Sequence, residues 1–63
     1  MTTAFDMVLK DLDERREYIA NALVSGAAKE FSEYQHMCGE IQGLSHAYAC
    51  IQELVRRMEQ NDD

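Results

Sequence analysis

The sequence predicts an all-α protein: an antiparallel helical hairpin, with a shorter first helix and a longer second one, that assembles into an oligomeric helical bundle. The main observation is a heptad repeat in the second half of the chain, where every a and d position is apolar. These positions are Tyr34, Met37, Ile41, Leu44, Tyr48, Ile51, Val55 and Met58. The chain also has no proline and only three glycines, which permits long helices. Ser25-Gly26 is the turn signal between the two helical segments.

The first helix is predicted over residues 4–24. Thr2 or Thr3 can cap its start, and Asp6 suits the positive end of the helix dipole. The apolar residues of this helix recur at steps of three and four. They are Phe5, Val8, Leu9, Leu12, Ile19, Ala22 and Leu23.

Two arginines interrupt that apolar pattern, between Leu12 and Ile19. Arg15 and Arg16 stand in the turn where the stripe should continue. Their aliphatic stems can lie over the seam while the charged heads reach water. Alternatively, one of them pairs with a glutamate of the second helix, Glu33 or Glu40, and so fixes the register of the two helices.

The turn is predicted at residues 25–27, with Gly26 as the left-handed residue that ends the first helix. The second helix is then expected over 28–59, followed by a frayed tail at 60–63, and the whole chain, 1–63, forms one domain. An alternative start lies at Ser32, where Ser32 and Gln35 have capping-box spacing. That start would leave about seven residues in the connection and a frayed Phe31.

A short turn sets the register of the two helices. Counting outward from it places Ile19 near Tyr34 and Phe5 near Tyr48, so that the second helix extends ~15 Å beyond the first. Its apolar face would then have no cover within the chain, which a soluble protein rarely tolerates. We therefore expect a homo-oligomer, most simply a dimeric four-helix bundle. The expected interface residues are Tyr34, Met37, Ile41, Leu44, Tyr48, Ile51, Leu54, Val55 and Met58.

A second surface lies almost opposite the heptad seam. Gly39, Gly43 and Ala47 are spaced at i, i+4 and i+8. A glycine inside a helix costs ~1 kcal/mol relative to alanine, so two of them one turn apart require a reason. Missing side chains let another backbone approach closely, and a second helix contact is the predicted reason. Tolerance on a solvated face and a kink at the glycines are the alternatives.

Composition excludes several classes of function. Twelve acidic and six basic residues give a net charge of −6, which would repel nucleic acid and anionic membrane surfaces. We expect no secretory leader and no membrane span, which places the protein in the cytoplasm of the cell or in a particle assembled there. Cys38 and Cys50 are twelve residues apart on one predicted helix, ~18 Å, too far for a disulfide.

The candidates for chemistry are few. Glu33 and His36 have the spacing of helical di-iron sites, which would give a dimeric ferritin-like di-metal protein, but both positions lie beside the seam rather than in it. His46 and Cys50 share a face and could supply two zinc ligands, but a closed site would need a symmetry mate. We expect no catalytic residue, no cofactor and no metal site.

The pattern Tyr34-x4-Gly39-x-Ile41-x-Gly43-Leu44-x2-Ala47-x3-Ile51 resembles short, largely uncharacterised helical proteins encoded by tailed bacteriophages. The resemblance covers about half of the chain. It implies a small virion or assembly component and carries over no functional residue.

The sequence as a whole predicts a non-enzymatic structural or interaction protein that homo-oligomerises through the heptad seam. Its partners are expected to be other copies of itself, with virion or host proteins as further candidates and without nucleic acid or membrane. A small acidic regulator that binds a host or viral protein is the alternative.

Overall fold

The computed structural model describes residues 3–60, which form two helices and the connection between them. Helix α1 spans Ala4–Val24 and helix α2 spans Phe31–Gln60. The helices pack against each other as an antiparallel hairpin, and the molecule measures 52 × 19 × 13 Å. The all-α prediction and the longer second helix are confirmed for these residues. Residues 1–2 and 61–63 lie outside the described part, and with them Thr2 and most of the expected tail.

Helix α1 begins with a capping box formed by Thr3 and Asp6. The Thr3 hydroxyl accepts a hydrogen bond from the Asp6 backbone N–H at 3.2 Å, and the Asp6 carboxylate accepts one from the Thr3 N–H at 3.1 Å. Two of the unpaired donors at this helix end are satisfied reciprocally. The acidic side chain also lies in the first turn, where the helix dipole favours it.

Helix α1 ends in a Schellman motif centred on Gly26. The Gly26 N–H donates to the Leu23 carbonyl at 3.1 Å, and the Ala27 N–H donates to the Ala22 carbonyl at 3.0 Å. This pattern requires a left-handed residue after the helix, and Gly26 has a φ of 83°. The predicted role of Gly26 is confirmed.

Replacing Gly26 by alanine is expected to destabilise the fold by about 1–2 kcal/mol. A Cβ at this position meets no atom within 4 Å, so the loss comes from the left-handed backbone alone. Gly26→Asn is the matched control, since asparagine visits this region more readily, and it should lose less. Denaturant unfolding of both variants measures the difference. An alanine variant as stable as the parent would show that the connection does not depend on this conformation.

Helix α2 begins at Phe31, three residues later than the predicted start at residue 28. The Tyr34 N–H donates to the Glu30 carbonyl at 3.1 Å, which makes Glu30 the residue that opens the helix. The Glu33 carboxylate accepts a hydrogen bond from the Lys29 N–H at 3.0 Å and so caps this end. The prediction was wrong because Ala27 is still engaged in closing α1. The observed start lies one residue before the alternative at Ser32.

The longer connection also changes the register of the hairpin. Arg16 donates a hydrogen bond to the Ser45 hydroxyl at 3.2 Å, and Phe5 lines a groove together with Val55 and Met58. The expected neighbour of Phe5 was Tyr48, two turns earlier, so the predicted overhang at the end of α2 is wrong. With Arg16 level with Ser45, the first six residues of α2 extend ~9 Å beyond α1, at the end that carries the connection.

The core of the hairpin is thin. Ile19, 3% exposed, is the one buried hydrophobic residue among the described residues. Most of the α1 side chains that face α2 are only half-buried, and they recur at alternating steps of four and three. They are Phe5, Leu9, Leu12, Arg16, Ile19 and Leu23. The hairpin is therefore a single layer of contacts with nothing behind it.

Candidate interaction surfaces

The expected interface residues of α2 divide into two groups in the structure. Six of them are half-buried along the side that faces α1: Met37, Ile41, Leu44, Tyr48, Ile51 and Val55. The other three are exposed, with Tyr34 at 49%, Leu54 at 38% and Met58 at 51%. The heptad seam therefore serves first to hold the hairpin together, and the exposed residues are those left available to a partner.

Arg16 occupies the centre of the contact between the helices. Its guanidinium lies 5.2 Å from the centroid of the Tyr48 ring, close enough for a cation–π interaction. It also donates to Ser45 and pairs with Asp13 at 2.6 Å. The side chain is one-third exposed, so its stem covers the seam while its head reaches the edge, as the first of the two sequence interpretations expected.

Arg15 forms the pairing that the second interpretation expected. Its guanidinium lies 3.5 Å from the Glu40 carboxylate, and His36 lies 3.2 Å from the other oxygen of the same group. The Arg15 side chain is 56% exposed, and an ion pair this accessible contributes little to stability. Glu40 thus has both of these partners within the hairpin, and its pair with Arg15 links the edges of the two helices.

An apolar patch lies at the end of the hairpin that carries the connection. Val24 is 87% exposed and Phe31 is 71% exposed, and the rings of Phe31 and Tyr34 stack with their centroids 6.2 Å apart. A side-chain hydrogen bond with Cys38 raises the pKa of the Tyr34 phenol above its usual value. Sequence reasoning missed this patch, although Phe31, just before the heptads, was the signal that could have found it.

The two glycines of α2 face open space. A Cβ added at Gly39 or Gly43 would meet nothing within 4 Å outside its own helix, and both residues line a shallow groove with Gln42 and His46. The close helix contact predicted at Gly39, Gly43 and Ala47 is therefore not made within the chain. It remains a prediction about a partner.

The glycines belong to a longer exposed strip of α2. Six residues recur along it at steps of three or four and therefore lie on one side of the helix. We call this strip the outer face, and its residues are Gly39, Gly43, Ala47, Cys50, Leu54 and Met58. Ala47 is half-buried and the others are exposed. None of these six residues is charged, although Arg57, three residues after Leu54, lies on the same side of the helix. Met58 lies at the edge of the strip, where it also lines the groove with Phe5 of α1.

The metal-ligand candidates do not converge. The Glu33 carboxylate caps α2, and the His36 imidazole pairs with Glu40. His46 lines the groove beside the glycines, while Cys50 is an exposed free thiol one turn further on. Within residues 3–60, no three His, Cys, Asp or Glu side chains are grouped closely enough to hold a metal ion. Neither α1 nor α2 contains an apolar stretch of the length and hydropathy needed to cross a membrane.

No family model matches the chain, and comparisons with curated proteins and with solved structures give no significant match either.

Proposed function

We propose that this protein is a non-enzymatic interaction protein that self-associates into a helical bundle. The observation that carries the proposal is the small amount of surface that the hairpin buries on its own. Among the described residues Ile19 alone is a buried hydrophobic residue, while eight large apolar side chains are exposed. A single layer of contacts between two helices rarely supplies enough stability for a chain of this size.

The exposed area supports the same conclusion quantitatively. The chain exposes 5101 Å². A compact folded protein of 7.2 kDa is expected to expose ~4,100 Å². The excess of ~1,000 Å² is close to the ~800 Å² that each partner buries in a stable interface of standard size. Covering one side of the hairpin with a second molecule would bring its exposed area close to that of a compact folded protein of the same mass.

The more specific part of the proposal is that this assembly is a component of a phage particle. It is supported only by the resemblance of the segment from Tyr34 to Ile51 to short phage-encoded helical proteins. The negative net charge is compatible with that role because the protein would then act through helix contacts, without binding the packaged nucleic acid itself.

Light scattering on the purified chain tests the proposal. At micromolar concentration we expect a mass of at least twice 7.2 kDa, with helical circular dichroism. The thermal midpoint should rise with protein concentration, because mass action stabilises an oligomer and leaves a monomer unchanged. A folded monomer whose midpoint does not depend on concentration would contradict self-association.

A further inference from the structure

The outer face of α2 changes in size along its length. Its first half has little or no side chain, at Gly39, Gly43 and Ala47. Its second half carries large exposed side chains, Leu54 and Met58. The change occurs between Ala47 and Cys50, close to the middle of the strip. A surface that is hollow at one end and raised at the other can complement itself when it is turned end for end.

We propose that the outer face is covered by the outer face of a second copy, with the two α2 helices antiparallel and a twofold axis beside Ala47 and Cys50. The inference rests on the proposed self-association and specifies its face and direction. In this arrangement Ala47 lies level with Cys50 of the second copy, and Gly43 lies level with Leu54 of the second copy. Gly39 lies level with Met58 at each end of the contact.

Packing favours this direction over the parallel one. In the antiparallel pair every layer combines a small residue with a larger one, which fills the space between the helices evenly. In a parallel pair Gly43 would face Gly43 and Leu54 would face Leu54. The glycine end would then contain a void while the leucine end held the helices apart. The interface reaches the packing density of protein interiors only when the glycine end of one outer face lies against the leucine and methionine end of the other.

The structure leaves room for the incoming side chains. A Cβ at Gly39 or Gly43 meets no atom within 4 Å, and the groove at Gly43 is open between Gln42 and His46. A leucine side chain from a facing helix can enter there without displacing any group of the hairpin. The absence of side chains at the two glycines also permits a short distance between the helix axes.

Area and charge favour a second copy over an unrelated partner. The area that the whole hairpin exposes beyond a compact protein of its mass, ~1,000 Å², is enough for the share of one subunit in a standard dimer. Beside the outer face, Glu53 lies on the same flank as His46 and Gln42. Within the hairpin the Glu53 carboxylate pairs with Arg56. In the antiparallel pair Glu53 lies nearest to His46 and Gln42 of the second copy, both of which can donate a hydrogen bond to its carboxylate. An acidic chain can therefore pair with itself here without bringing two carboxylates together.

Cysteine cross-linking tests the direction and the face together. The background chain carries Cys38→Ser and Cys50→Ala, and its mass by light scattering establishes whether it still self-associates. Two single-cysteine chains are then made in this background, one with Gly43→Cys and one with Leu54→Cys. Each is oxidised alone, and an equimolar mixture is oxidised after unfolding and refolding together.

We expect disulfide-linked dimers in the mixture and little or none in either chain alone, because the antiparallel pair brings residue 43 of one copy to residue 54 of the other. Cross-linking of each chain alone, without a gain in the mixture, indicates a parallel pair and overturns the inference. An oligomer that forms no cross-link in any sample uses a different surface and also overturns it, while leaving self-association intact. A monomeric parent chain overturns both proposals.

Discussion

An Ile19→Ala variant is expected to lose most of the folding stability of the hairpin. Ile19 is 3% exposed and is the one buried hydrophobic residue in the described part of the chain. Truncating a buried isoleucine to alanine typically costs about 2–5 kcal/mol. A small single-core domain rarely has more than about 3–5 kcal/mol in total, so the variant should be largely unfolded at ambient temperature. Circular dichroism during urea denaturation measures the loss.

Met7→Ala is the matched control for this experiment. Met7 belongs to the same helix but is 61% exposed, so its truncation removes few contacts and should change the stability by no more than about 0.5 kcal/mol. Both variants must be compared with the parent at one protein concentration, since association adds to the apparent stability. Equal losses in the two variants would mean that the contact around Ile19 does not hold the helices together.

The ends of α1 illustrate what sequence alone can predict. Each is determined by residues within one turn of the helix end. Thr3 and Asp6 have the spacing of a capping box, and glycine is the residue that adopts a positive φ at lowest cost. The structure places Thr3 at the start of α1 and gives Gly26 a φ of 83°. Such local chemistry needs no knowledge of the remaining fold.

The register of the two helices could not be predicted in the same way. It depends on the length of the connection, which extends from residue 25 to residue 30 rather than from 25 to 27. Alanine, lysine and glutamate at 28–30 are all good helix formers, so their propensity favoured an earlier start of α2. The Schellman motif at Gly26 and the cap that Glu33 forms on Lys29 N–H outweigh this propensity. The sequence shows both sets of local preferences, but it does not show which of them prevails.

Arg16 shows why an interruption in an apolar pattern is difficult to interpret. Its position continues the spacing of the α1 residues that face α2, but its charge suggests a surface residue. The structure satisfies both properties, with the guanidinium 5.2 Å from the centroid of the Tyr48 ring and bonded to Asp13 and Ser45 at the edge of the contact. Tyr48 and Ser45 could not be assigned as partners before the register was known, whereas Asp13 lies three residues away on the same helix.

The same difficulty applies to the outer face. Sequence spacing identified Gly39, Gly43 and Ala47 as one strip, but it assigned Leu54 and Met58 to the interface that extends the heptad seam. In the structure the half-buried seam is used by α1, while Leu54 and Met58 remain exposed in line with the glycines. The outer face can be identified as a separate surface only when it is known which side of α2 packs against α1.

A Gly43→Leu variant is expected to weaken self-association strongly while leaving the helical content intact. A Cβ at residue 43 meets no atom within 4 Å and the groove there is open, so we expect the isolated fold to accept the leucine, and the replacement of glycine favours the helix itself. In the antiparallel pair the same side chain would collide with Leu54 of the second copy at two symmetric places. Overpacking costs about 1–3 kcal/mol at each place, so the dissociation constant should rise at least about thirtyfold.

Combining Gly43→Leu with Leu54→Ala should restore much of the lost affinity. The double substitution exchanges the large and small sides of the same layer, so each leucine again lies opposite a small residue in the antiparallel pair. A parallel pair predicts no such rescue, since the two positions would then lie ~16 Å apart along the helices and could not compensate each other. Leu54→Ala alone is the control, and it should bind more weakly than the parent because it leaves a gap in that layer. Sedimentation equilibrium on the four chains measures the coupling between the two sites, and an additive result would exclude contact between them.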